Sequence, residues 1–280
     1  VLPTLASRGA VKDKKVAIIG GGPAGLSAAS FLSRAGIEVV VFERTNKLGG
    51  IVRHVIPGFR ISEEAIDNDV KLCQAYGATF NTGVEVKDVN ALLAEDYTDV
   101  VVAIGAWAPG RKTLKSGEAL DALEFLEEFK RAPESVNLGT DVVVIGAGNT
   151  AMDVARAAKR VAGVQNVRLV YRRTKRYMPA DEEELQMAID DGVEFMELLA
   201  PGDLANNQLT CEVMKLGAPD ESGRRRPEGT GEFVTVPATA VITAVGEQVE
   251  PDLYTTSGIA CDEKGLPVVD NSLQTSLAHV

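Results

Sequence analysis

Cysteine, histidine and aromatic side chains are scarce in this chain. Its 280 residues include three cysteines, two histidines, one tryptophan and 5% aromatics. Cys73, Cys211 and Cys261 lie far apart, so a disulfide framework is not expected. No Cys-x-x-Cys occurs, which leaves no dithiol redox motif. A reduced, cytoplasmic protein is the simple reading of that usage. No apolar run approaches the roughly 20 residues of a membrane helix, so no membrane span is expected. Residues 1–10 lack a basic start followed by an apolar core, so no signal peptide is expected. The chain begins with Val rather than Met, which reads as a processed or cut piece. Positive charge is also short: 29 Lys and Arg against 40 Asp and Glu give a net charge of −11. That balance argues against general nucleic-acid binding and otherwise describes a solvated acidic surface.

What is present is ordinary for a globular protein, 45% hydrophobic and 25% charged, and long enough for two compact domains. Val16-Ala17-Ile18-Ile19 is a short apolar run that ends in glycines, as a buried parallel strand does. A helix with small residues (Ala24, Ala28, Ala29) follows over 23–35, ended by Gly36, and a Val-rich second strand covers 37–42. These segments make one β-α-β unit. A second unit covers 142–171, with a strand at 142–145, a helix from near Asn149 and a strand at 167–171.

Ser62 suits a helix N-cap, with Glu63 and Glu64 favourably placed in the first turn. Ile66, Val70 and Cys73 share one face of that helix, so Cys73 reads as a small core residue before a reactive thiol. Residues 120–131 read as an acidic amphipathic connecting helix, 181–190 as another helix and 193–198 as a strand. A hairpin of 209–216 with 232–236 encloses a polar loop, 217–231. That loop carries Arg224-Arg225-Arg226, either a basic patch or, more simply, a solvated loop tip. Apolar strands at 100–104 and 240–245 each close on glycine, at Gly105 and Gly246. With fingerprints 126 residues apart, the economical reading is an α/β protein of two Rossmann-like units in tandem.

The first fingerprint is Gly20-Gly21-Gly22-Pro23-Ala24-Gly25 and the second is Gly146-Ala147-Gly148-Asn149-Thr150-Ala151. In such a turn the first glycine permits the tight bend, the second lets backbone approach a pyrophosphate, and the third lets helix pack on strand. The helix N-terminus then offers N–H groups to the pyrophosphate oxygens. A lone fingerprint is a weak signal; strand, helix, second strand and a polar strand end around each strengthen it. Glu43 ends the strand after the first, 18 residues beyond Gly25, where a carboxylate accepts from a ribose diol. Arg172 and Arg173 end the strand after the second, followed by Lys175 and Arg176. Guanidinium forks there suit the 2′-phosphate that distinguishes NADPH from NADH; the bland alternative is a solvated basic turn. Ala151 replaces the third glycine, and its methyl is expected to hold the helix slightly farther from the strand.

The fingerprint Gly20-x-Gly22-Pro23-Ala24-Gly25, with Leu48-Gly49-Gly50 and Ile56-Pro57-Gly58-Phe59-Arg60, resembles the glutamate synthase small-subunit family, which includes the NADPH/FAD portion of dihydropyrimidine dehydrogenase. Gly148-Asn149-Thr150-Ala151-Met152-Asp153, Tyr171-Arg172-Arg173 and Met178-Pro179-Ala180 extend the resemblance along nearly the whole chain. Within the family it is greatest to selenate-reductase-type flavoprotein subunits.

The resemblance implies FAD and NADPH as cofactors, with the NADPH domain (113–245) inserted between two parts of the FAD domain (1–112 and 246–280). It places FAD against Gly20, Gly22, Pro23, Ala24, Gly25, Glu43, Arg44, Gly50, Ile51, Arg60, Val86, Ala103 and Gly105. It places NADPH against Gly146, Gly148, Asn149, Thr150, Ala151, Arg172, Arg173, Ala244, Val245 and Gly246. A further cationic contact of the family falls at Pro179, which cannot supply it; Arg176 is the nearby substitute. Family members carry a cysteine-rich iron–sulfur segment before the first fingerprint, and no such run occurs here. They also close the FAD site with a later Gly-Asp motif after a strand, where this sequence ends at Ala278-His279-Val280. The expectation is therefore a core fragment with a poorly walled FAD site.

The implied chemistry is hydride transfer from nicotinamide to flavin, which requires no acid or base from the protein, so no catalytic residue is named. No metal site is expected. His54 lies near the expected flavin loop, and a lone histidine is more often structural. Electrons would leave the flavin for an iron–sulfur segment or partner subunit. Two rivals remain: a fragment or assembly subunit that binds NADPH without turnover, and a thioredoxin-reductase-like enzyme, weakened by the absent cysteine pair.

Overall fold

The computed structural model describes residues 11, 13–110, 113–219, 223 and 225–280. The signal-peptide reading of 1–10, Arg224 and the expected boundary at 112/113 lie outside the described residues. The chain divides into two compact units: unit 1 is 1–108 with 248–280, and unit 2 is 109–247.

Unit 1 opens with β1 (Lys15–Ile19), α1 (Pro23–Arg34), β2 (Glu38–Glu43), α2 (Gly50–His54), α3 (Glu63–Ala75), β3 (Thr79–Thr82), α4 (Val89–Leu93) and β4 (Asp99–Val102). Its sheet is parallel, in the order β3-β2-β1-β4. One face packs Ile18, Leu26, Ala29, Val39, Val41 and Cys73. The other packs Ala17, Ile19, Val89, Leu92 and Val100 with Leu253 and Tyr254 of the returning segment. Ser62 caps α3 by accepting from Ala65 N–H at 3.2 Å, as its position in the sequence indicates. Along the outer edge of β4, Val100 N–H donates to the His279 carbonyl at 2.8 Å.

Unit 2 runs β5 (Leu120–Asp121), α5 (Ala122–Arg131), β6 (Asp141–Ile145), α6 (Asn149–Ala158), β7 (Asn166–Tyr171), α7 (Glu182–Asp190), β8 (Val193–Glu197), β9 (Leu199–Ala205), β10 (Gln208–Pro219), β11 (Arg225–Pro237) and β12 (Ala240–Thr243). Its parallel sheet has the order β5-β12-β6-β7-β8, and β11-β10-β9 form a separate antiparallel sheet. Leu199, Leu209, Cys211 and Val236 pack against Val143, Ile145, Val170 and Val241, so the small sheet covers one face of the large one. The returning segment of unit 1 carries α8 (Asp252–Thr256).

Two expectations change here. Leu120, expected in a helix, pairs with Ile242 as a strand, and Asp121 caps α5 by accepting from Leu123 and Glu124 N–H. The expected loop 217–231 is largely ladder, with Lys215 opposite Glu228 and Pro219 opposite Arg225. Alternation in that stretch is weak because almost every β11 residue is exposed, so the stretch shows no apolar face.

Candidate functional site

The turn between β1 and α1 is built on close approach. A Cβ at Gly20, whose φ is +104°, would sit 2.4 Å from the Ala103 carbonyl oxygen. A Cβ at Gly25 would sit 1.9 Å from the Gly20 carbonyl oxygen. At Gly22 a Cβ would meet just the Gly50 Cα at 3.7 Å, so that backbone faces open space. Gly22 is the N-cap of α1 without a side-chain capping bond, and Pro23 follows. The N–H groups of the first turn are thus left for an external acceptor.

That open space is a cleft of about 770 Å³ within unit 1, in the size range of small-molecule and cofactor sites. Gly20, Gly22, Pro23, Ala24, Glu43, Arg44, Gly50, Ile51, Val86, Ala103 and Gly105 line it. Gly25 and Arg60 do not: Gly25 packs beneath the turn, and Arg60 closes a turn to Pro57. Lining that sequence reading missed comes from Val84, Trp107 and residues 250–256. Trp107 carries the Arg44 guanidinium over its ring at 5.4 Å, and Arg44 also pairs with Glu250 at 2.8 Å. Just two residues past Gly105, Trp107 was findable as the sole tryptophan beside a predicted strand end.

Glu43 is buried, 6% exposed. Its Oε2 accepts from Gly21 N–H at 2.7 Å, and its Oε1 accepts from Thr45 N–H at 2.7 Å and Thr45 Oγ1 at 2.8 Å. A carboxylate offers about four lone-pair sites, so roughly one, on Oε2, is left for an external donor. The carboxylate braces the glycine turn first. Glu43→Gln therefore turns an amide N–H₂ toward an N–H donor and costs about 2 kcal/mol of unit 1 stability. A denaturation midpoint that does not move on this substitution sinks the bracing role.

Beneath the same wall, Arg53 is 6% exposed and donates to the Leu48 carbonyl, to Glu63 and to Asp67 at 2.6 Å. It ties α2 to α3 and fixes the strand-to-helix link carrying Gly49 and Gly50. The Asp67 carboxyl is held below its ordinary pKa by that guanidinium. His54 does not line the cleft; its Nε2 lies 3.3 Å from Thr45 Oγ1 and from the Lys47 carbonyl.

Unit 2 repeats the turn with different margins. A Cβ at Gly146 (φ +141°) would lie 2.3 Å from the Ala244 carbonyl oxygen, as at Gly20. The segment Ala244, Val245 and Gly246 thus passes close to the fingerprint. Gly148 is an N-cap of α6 without a side-chain capping bond, and Thr150 Oγ1 donates to Glu247 at 3.5 Å. The Asn149 side chain is engaged with Asp181, donating to its carboxylate at 3.3 Å and accepting its N–H at 3.2 Å. Ala151 is fully buried, its methyl accommodated where the first turn has no room.

Arg172 is exposed and Arg173 half-buried at the end of β7. Neither forms an ion pair among the described residues, whereas Arg156, Arg160 and Arg168 of the same unit pair with Asp191 or Asp141. Lys175 and Arg176 occupy an exposed turn just beyond.

The three thiols are free. Burial raises the Cys73 thiol above its ordinary pKa and pushes Cys211 up to about 11. Cys73 packs in one core of unit 1, Cys261 against another, and Cys211 in the core of unit 2. Among the described residues no group of His, Cys, Asp and Glu is placed to hold a metal ion, and no helix is long and apolar enough to cross a membrane.

Residues 14–280 match the family described as pyridine nucleotide-disulphide oxidoreductase. The protein YgfK of Escherichia coli O157:H7 is 44% identical over 269 residues, which are 95% of this chain and 26% of that protein. The glutamate synthase (NADPH) small chain of Halomonas elongata is 37% identical over 273 residues, covering 90% of this chain and 58% of that one. The chain therefore spans only part of each relative. Mycobacterium tuberculosis FprA in complex with NADPH superposes with a TM-score of 0.74 at 23% identity, over 89% of this chain and 73% of that one. The resemblance to glutamate synthase small subunits holds, and the α/β fold is that of FprA. The chain belongs to the pyridine nucleotide-disulphide oxidoreductase family, whose cofactors are FAD and NAD(P).

Proposed function

We propose that this chain is the NADPH- and FAD-holding segment of an oxidoreductase of the glutamate synthase small-subunit type, delivering electrons to an iron–sulfur segment or partner subunit. The observation that carries the reading is the opposite chemistry of two equivalent strand ends. Glu43 is a buried carboxylate that lines the cleft, and Arg172 with Arg173 is a cationic pair without a carboxylate partner among the described residues. When bound, the cofactors supply the redox chemistry, a hydride passing from nicotinamide C4 to flavin N5.

The chain's own residues bind, orient and exclude water. Gly22 and the first turn of α1 take the FAD pyrophosphate, and Glu43 accepts one ribose hydroxyl. Ile19, Val86, Val102 and Ile104 form an apolar wall, and Arg44 stacked on Trp107 lines the cleft as well. In unit 2 the first turn of α6 takes the NADPH pyrophosphate and the arginine pair takes the 2′-phosphate. The domain layout proposed is an NADPH unit between the two parts of an FAD unit. The relative named for NADPH supports the cofactor choice. The thiols sit in three separate clusters, Cys73 and Cys211 buried and Cys261 half-buried, which weighs against a disulfide reductase that needs a reactive pair beside the flavin.

Purified protein reconstituted with FAD is expected to absorb at about 450 nm and to bleach on adding NADPH. Trp107 is the sole tryptophan and lines the cleft, so its fluorescence falls as FAD enters. Protein that stays colourless and does not respond to NADPH leaves the binding-without-turnover reading in its place.

A further inference from the structure

The arginines of the hairpin β10–β11 have a neighbour that the sequence did not show. Arg173 Nε–H donates to the carbonyl oxygen of Arg225 at 3.3 Å. The link is reinforced through backbone: Leu198 N–H donates to the Arg173 carbonyl at 3.1 Å, and Met214 N–H of β10 donates to the Leu198 carbonyl at 2.8 Å. Leu198 makes this connection with φ at +58°, a left-handed residue at the corner between β8 and β9. The hairpin is thus pinned to the end of β7, where the cationic pair stands.

Charge adds a second observation. Arg172, Arg173, Lys175, Arg176, Arg225 and Arg226 make no side-chain ion pair among the described residues. The acids nearby are otherwise occupied. Glu197 accepts the backbone N–H of Lys175, and Glu228 lies 3.9 Å from Lys215. In a chain of net charge −11, cations carried on two linked segments without carboxylate partners add to one local positive potential, which an anion would neutralise. Taking Nε for the Arg225 carbonyl also leaves the two Nη groups of Arg173 as the free fork, the geometry suited to a phosphate.

We propose that Arg225 and Arg226 extend the anion site of Arg172 and Arg173, making the hairpin a specificity element for the 2′-phosphate of the dinucleotide. The proposal rests on reading unit 2 as the NADPH-binding unit. The hairpin acts in two ways. Its backbone orients Arg173, and its side chains add positive potential where the dianion sits.

The test is calorimetric titration of the whole protein with 2′,5′-ADP, 5′-AMP and inorganic phosphate at low ionic strength. Arg225→Ala with Arg226→Ala is expected to weaken 2′,5′-ADP binding about tenfold, as two screened charges do, and to leave 5′-AMP unmoved. Arg225→Lys with Arg226→Lys is expected to recover most of the loss, and the salt dependence of 2′,5′-ADP binding becomes shallower in the alanine variant. These positions are exposed, so the melting temperature should hold. An unchanged affinity for 2′,5′-ADP, while Arg172→Ala with Arg173→Ala still weakens it, overturns the hairpin's role and leaves the strand-end reading standing. If neither pair matters, the phosphate reading of unit 2 fails as well. Equal losses for 5′-AMP and 2′,5′-ADP also overturn the proposal, as does inorganic phosphate binding as tightly as 2′,5′-ADP.

Discussion

Replacing Arg172 and Arg173 together by alanine is expected to raise the dissociation constant for NADPH about 100-fold while moving that for NADH less than about threefold. Hydrogen bonds to a charged group contribute about 1.5–3 kcal/mol each, and exposure trims each arginine toward roughly 1.4 kcal/mol, a factor of ten. Arg172 is exposed without a carboxylate partner among the described residues, so its removal breaks no structural ion pair. Arg173 loses one bond to a backbone carbonyl, a small cost beside two guanidinium charges facing a dianion. NADH lacks the 2′-phosphate and has nothing for these groups to hold. Parallel titrations with the two dinucleotides decide the matter, and equal weakening of both would refute the phosphate role.

The sequence shows this asymmetry plainly because short-range rules govern it. A strand ending in glycines, a helix of small residues and a polar residue at the next strand end all lie within about 30 residues of one another. The N-cap at Ser62 and the glycine turns follow from backbone sterics and capping chemistry, both local. The cleft lining contributed by residues 250–256 and Trp107 is a different matter. Those residues reach Gly22 and Glu43 through chain reversals longer than any periodic pattern records. The hairpin shows the same limit from another side. β11 is exposed along nearly its whole length, so no apolar alternation marks it, and register comes from the antiparallel ladder with β10. Its proximity to Arg173 is a product of the corner at Leu198, which carries no turn residue of the usual kind.

The role of Glu43 also changes once its neighbours are visible. A strand-end carboxylate reads from sequence as a partner for a ribose diol. In the structure it first satisfies Gly21 and Thr45, and so ties the fingerprint to the strand that presents it. The second unit has no such acid. Its turn is held by Ala180 N–H donating to the Ala147 carbonyl at 3.0 Å and by packing of Ala151 and Met152, both fully buried. The first glycine turn is thus fastened by a side-chain carboxylate, and the second by backbone bonding and packing, with no carboxylate paired with Arg172 or Arg173 among the described residues.

That difference sets the expected cost of adding or removing one methyl group at equivalent positions. Gly25→Ala places a Cβ 1.9 Å from the Gly20 carbonyl oxygen and 3.3 Å from Ile18 Cγ2. Both obstacles are fixed, one backbone and one a fully buried side chain, so α1 must lift from the sheet and disturb Leu26 and Ala29 beneath it. Overpacking of this kind costs about 3 kcal/mol, and the displaced first turn no longer meets a pyrophosphate. The converse change, Ala151→Gly, removes a methyl that already fits. It costs about 1–2 kcal/mol, from helix propensity and one lost buried methyl, and leaves the turn backbone in place. Chemical denaturation should therefore show the larger loss for Gly25→Ala, accompanied by failure to retain FAD. Ala151→Gly should keep NADPH affinity within about threefold. A Gly25→Ala protein that melts and binds flavin like the parent would mean that α1 stands farther from β1 than the close approach at Gly20 requires.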